Sequence, residues 1–177
     1  IELTFARSRD VSATMRTICA EYPEENYDAW ECFHGVGHGL MFQSENDLPG
    51  SIALCDSYDT HFRRKTCANG AYMENFNTDQ KLHPSRFLRP ADPFYPCLDV
   101  SEAQRGHCAV YAPSYYLSLH PGQYQAALEW CREKDRPYAL TCIRGLGAEV
   151  MKQNIRHPDV AETLCMAMGE EERSACL

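Results

Sequence analysis

The sequence predicts an all-α chain of tandem two-helix repeats, solenoid-like, each about 35 residues long and stapled by one disulfide. Three observations predict it. The ten cysteines keep a double spacing, the residues around them recur, and strand patterning is scarce. Taken in consecutive pairs, the cysteines are separated by 13, 12, 11, 11 and 11 residues. The first members of successive pairs stand 36, 42, 34 and 34 residues apart, and the second members 35, 41, 34 and 34. Two rulers that agree along the whole chain mark an internal repeat counted five times. The pairs predicted are Cys19–Cys32, Cys55–Cys67, Cys97–Cys108, Cys131–Cys142 and Cys165–Cys176.

Within a unit, a short helix A runs to the first cysteine, a polar turn follows, and helix B carries the second cysteine in its first half. Proline often opens helix A, as in "LPGSIALC", "HPGQYQAALEWC" and "HPDVAETLC". An amide at the first helical position has no partner to lose. In the fourth unit this predicts helix A over Pro121–Glu133 and helix B over Arg136–Asn154, with Asp135 as the cap. Ala139, Ile143, Leu146 and Val150 then recur at spacings of three and four on one face. Glycine stands three residues past the second cysteine at Gly35, Gly70 and Gly145, and five past it at Gly37 and Gly147. An interior helical glycine costs about 1 kcal/mol, so its recurrence predicts close approach of neighbouring helices. In the third unit Pro113 falls inside helix B and is expected to kink or shorten it.

The organisation read from this is a single disulfide-rich domain over 1–177, with an irregular inserted loop over 77–96 that lengthens the second repeat. The last unit holds little beyond its second cysteine. A fragment of a longer chain and a terminus stapled bare both fit that pattern.

Composition excludes several classes. Against 25 acidic residues there are 17 basic ones, a net charge of -8, so nucleic acid is not an expected partner. No apolar run reaches the length of a membrane span. An even cysteine count without any CxxC pair argues against thioredoxin-like and common zinc motifs and for disulfides. That places the chain in an oxidising compartment: secreted, periplasmic or lumenal.

The functional candidates lie where one unit departs from the repeat. "ECFHGVGHGLM" carries His34 and His38, four residues apart and so on one helical face. The corresponding positions elsewhere are Asn69 and Met73, Val110 and Ser114, and Arg144 and Ala148. The histidines are therefore a local addition to a repeated frame. If B helices lie side by side, Met73 or Glu74 of the second unit faces them; His61 and His107 are further candidates. Two imidazoles and a thioether, His34, His38 and Met73, suit copper, and two imidazoles with a carboxylate suit zinc or iron. The zincin motif is excluded, because Gly35 and Val36 follow His34. A metal-free alternative makes His38 a general base oriented by Glu74. Whether the chain is an enzyme stays open. The class-level rival is a scaffold whose repeat face binds a protein or peptide, with Tyr111, Tyr115 and Tyr116 as the contact residues and the histidines structural.

Overall fold

A computed structural model describes residues 4–5, 10–22 and 25–177. Its chain divides into two compact units, residues 1–87 and 88–177. Ten helices are bounded among the described residues, and no strand.

The first unit contains α1 (Val11–Ile18), α2 (Tyr27–Gln43), α3 (Leu48–Asp56) and α4 (His61–Asn77). Side-chain caps start three of them. Asp10 accepts from the Ala13 amide at 2.9 Å, Asn26 from Ala29 at 3.0 Å, and Thr60 from Arg63 at 3.2 Å. Each satisfies a donor that the first helical turn leaves unpaired. In α3 it is Pro49 that occupies the first turn. α2 buries Ala29, Phe33, Val36, Gly37, Leu40 and Met41, the three-and-four spacing of one helical face. It stops where Glu45 and Asn46 turn left-handed, with φ of 54° and 63°. Asn46 is held there by donating to the His83 carbonyl at 2.8 Å.

The second unit contains α5 (Glu102–Ala109), α6 (Ala112–Leu119), α7 (Tyr124–Arg132), α8 (Tyr138–Gln153), α9 (Asp159–Met166) and α10 (Glu170–Cys176). α8 is its hub and touches the other five helices. Ile143, Leu146 and Val150 on α8 meet Leu117, Leu128 and Leu164 in one core.

The five disulfides are those the spacing predicts, with Cα–Cα distances of 5.3–5.9 Å. Four tie the end of one helix to the next. In the third repeat no helix leads to Cys97. Its place is taken by successive turns, with Tyr95, Cys97 and Asp99 donating to the carbonyls three residues earlier. Residues 78–101 contain no helix, only turns and one isolated bridge, Arg89 to Asp92. Helix B of this repeat is broken as Pro113 requires: α5 ends at Ala109 and α6 starts at Ala112 with the proline in its first turn.

Two boundaries of the fourth repeat differ from the expectation. Pro121 lies outside α7, because Gly122 takes φ of 75° and forms a turn. Asp135 does not cap α8 through its side chain. Pro137 is the cap residue, and Asp135 contributes its backbone carbonyl to the Ala139 amide at 3.1 Å. The residue before a proline is driven out of helical conformation, so the helix starts after the Arg136–Pro137 step.

The glycines set how closely the B helices approach. A Cβ on Gly70 would overlap the His34 carbonyl oxygen and lie 2.9 Å from its carbon. One on Gly37 would overlap the Cys67 oxygen and lie 2.6 Å from the Ala71 nitrogen. The second unit repeats both contacts. Gly145 faces Val110, two residues past its cysteine as His34 is, and Gly147 faces the Cys176 carbonyl as Gly37 faces that of Cys67. Tyr72 of the second repeat and Tyr111 of the third hold these registers in the sequence.

Candidate functional site

The glycine-mediated approach of α2 and α4 brings four side chains together in pairs. His34 Nε2 lies 3.4 Å from Met73 Sδ, and His38 Nδ1 lies 2.7 Å from Glu74 Oε2. All four were legible as candidates from the repeat register. The reason is geometric. His34 and His38 are one turn apart on α2, and Met73 and Glu74 are adjacent on α4, so two helices in fixed register present two pairs.

The pairs differ in character. His34 is buried, at 8 % exposure. Its ring stacks on Trp30 at 4.5 Å with 16° between planes, and meets the His38 ring edge to face at 4.9 Å. Its Nδ1 is buried without a well-formed hydrogen bond. Burial, and after it the neighbouring His38, lower the imidazole to a pKa of about 4, with Glu31 and the Thr66 backbone acting the other way. His34 is therefore neutral at pH 7, with Nε2 turned to the thioether. His38 is only partly covered, with 25 % of its side chain exposed, and Glu74 has 34 %. The carboxylate accepts from Nδ1–H, which fixes the tautomer and leaves the Nε2 lone pair for another partner.

Trp30 is the member that sequence reading missed. It stands four residues before His34 on the same helical face, which is the signal that could have found it. Tyr27 continues the stack outward, 6.3 Å from Trp30 and 72 % exposed.

The remaining candidates lie elsewhere. His61 opens α4, about 18 Å along the helix from Met73 at 1.5 Å per residue. His107 belongs to α5 of the other unit. Among the described residues, no group of three or more His, Cys, Asp and Glu side chains is arranged to hold a metal ion. The sulfur of Met73 falls outside that set of donors. In the second unit Tyr115 is buried, and Tyr111 is half-buried with its phenol pushed up to about 12 by burial. Tyr116 stacks on Trp130 at 4.6 Å, with the Lys134 ammonium 4.8 Å over that indole. This half-buried aromatic cluster was not apparent from the sequence.

The His34 shift has a consequence for stability. Its pKa is lowered on folding, so between pH 6.5 and 4 the unfolded chain binds more protons than the folded one. Stability is then full above pH 6.5 and is lost as pH falls toward 4, by about 2–3 kcal/mol in all. Urea midpoints measured at pH 7.5 and 4.5 check this. The His34→Gln variant should lose less on acidification than the parent. Equal losses would show that other groups carry the acid sensitivity.

No family model matches the chain, and comparison with curated proteins and with solved structures gives no match for it.

Proposed function

We propose that the first unit is a metal-binding layer in an extracytoplasmic helical-repeat protein, with His34, His38 and Met73 as ligands and Glu74 orienting His38. Five disulfides, with no free cysteine among the described residues, point to a secreted or otherwise oxidising compartment. No described helix is long and apolar enough to cross a membrane.

The observation that carries the reading is the 3.4 Å approach of His34 Nε2 to Met73 Sδ. Two donor atoms of different helices face each other at a distance an ion could bridge with bonds of about 2.0–2.3 Å. The neighbouring His38 has its Nδ1 engaged by a carboxylate, the arrangement that makes a metal-ligating histidine more basic and fixes its orientation. Copper and zinc are the metals this chemistry suits. Titration calorimetry on protein purified without a histidine tag tests it. One equivalent should bind. His34→Ala and His38→Ala should each abolish stoichiometric binding, and Glu74→Gln should weaken it by about 10- to 100-fold. Binding unchanged in His38→Ala, or no binding by the parent chain, would remove the proposal.

The His38–Glu74 contact also favours a second reading, proton transfer, in which His38 Nε2 takes a proton while Glu74 stabilises the resulting cation. A metal-independent activity lost in His38→Ala would support it. The scaffold reading draws less support, since Tyr115 is buried and Tyr111 half-buried.

A further inference from the structure

We infer that the ion this layer takes is monovalent copper, and not zinc or divalent copper. The inference rests on the metal-binding reading above and goes one step further, to charge and softness.

The donors within reach are neutral. His34 and His38 offer imidazole nitrogens and Met73 a thioether. Glu74 is engaged with His38 Nδ1 at 2.7 Å, Glu31 acts on His34 only through its charge, and the ten cysteines are tied up in disulfides. An ion bridging His34 Nε2 and Met73 Sδ must lose water beside a ring that is 8 % exposed and roofed by Trp30. The cost of desolvating an ion grows as the square of its charge, so a divalent ion is penalised roughly four times as heavily as a monovalent one of similar size. Neutral ligands do not offset that penalty as carboxylates or thiolates would.

Softness points the same way. Thioether sulfur selects monovalent copper among the biological first-row ions, while imidazole serves several. Structural zinc sites take four ligands in a tetrahedron. Here His34 Nε2 and Met73 Sδ face each other at 3.4 Å with the His38 ring 4.9 Å from that of His34, and no set of three harder donors stands nearby among the described residues. Three donors suffice for a monovalent copper ion.

Preorganisation is built into the backbone. Gly37 and Gly70 let α2 and α4 meet main chain to main chain, so the backbone separation beneath His34 and Met73 is fixed without side chains at the contact. His34 Nε2 and Met73 Sδ already lie 3.4 Å apart before the ion arrives, which lowers the cost of binding.

The test is competition under anaerobic conditions, using the full chain with its disulfides intact. Monovalent copper is titrated against a chromophoric copper(I) chelator, with silver(I) as a redox-inert analogue and zinc(II) and copper(II) in parallel. One equivalent of copper(I) and of silver(I) should bind, each more tightly than zinc(II) or copper(II). Met73→Leu, which keeps volume and hydrophobicity, should weaken both monovalent ions at least tenfold and leave any divalent binding unchanged. Circular dichroism of the variant confirms its fold. If zinc(II) or copper(II) binds through His34 and His38 more tightly than copper(I), this inference fails while metal binding stands; if Met73→Leu binds copper(I) like the parent, this inference fails and Met73 also leaves the ligand set, with metal binding by the histidines alone standing. If none of the four ions binds, both fail.

Discussion

Gly70→Ala is expected to destabilise the first unit by about 3 kcal/mol or more, the upper range for overpacking. The added methyl has nowhere to go. It would overlap the His34 carbonyl oxygen, lie 2.9 Å from that carbon and 3.2 Å from the Gly37 Cα. Ordinary carbon contacts are about 3.5–4.0 Å. The obstacle is backbone, so no rotamer change relieves it; α2 and α4 must separate along their shared face. Alanine returns up to about 1 kcal/mol of helix propensity, too little to offset the loss. Gly106→Ala supplies the control. Nothing lies within 4 Å of a Cβ there, so the same substitution in α5 should be neutral or stabilising by up to about 1 kcal/mol. Thermal or urea melts of the two variants decide the matter. Gly37→Ala should resemble Gly70→Ala, and the double variant should cost less than the sum, because one separation of the helices relieves both overlaps. If Gly70→Ala and Gly106→Ala melt alike, the close-approach account is wrong.

Full reduction is expected to unfold the chain at 25 °C. Each bridge closes a loop of 11 to 13 residues, worth about 3 kcal/mol by the chain-entropy argument. Five together approach or exceed the roughly 5–15 kcal/mol that a domain has in total. The bonds should also open in order. Cys32 is half-buried, while Cys55, Cys67, Cys97, Cys108, Cys131 and Cys142 are fully buried. Under a mild phosphine reductant, Cys19–Cys32 should therefore be lost first, and the buried pairs only as the helices come apart. Alkylation followed by mass spectrometry reads the order. Helical circular dichroism retained after all ten thiols are labelled would refute the stapling argument.

The repeat and its pairing were legible because cysteine spacing is discrete. A disulfide needs Cα atoms about 5.5 Å apart, and a helix-turn-helix of 11 to 13 residues delivers that in four of the five repeats. The glycines were legible because they recur at fixed offsets from those cysteines. Register then placed Met73 and Glu74 opposite His34 and His38. What stayed hidden depended on tertiary facts. The replacement of the third helix A by turns, the burial of Tyr115 and the stacking of Trp30 on His34 follow from packing. So does the burial of His34 Nδ1. The two helix boundaries at Pro121 and Asp135 were misplaced because local backbone geometry at Gly122 and Pro137 outweighed cap propensity.

The glycine contacts join main chain to main chain, which frees the adjacent side chains from any part in alignment. Val110 stands two residues past Cys108 as His34 does past Cys32, and each is met by the glycine of the next helix B. Glu149, seven residues past Cys142, holds the register of Glu74. The same layer geometry thus carries valine in one place and histidine in another. Such an array is modular at the level of single side chains: a new binding chemistry can be written into one layer by substitution alone, with the alignment of the helices already supplied.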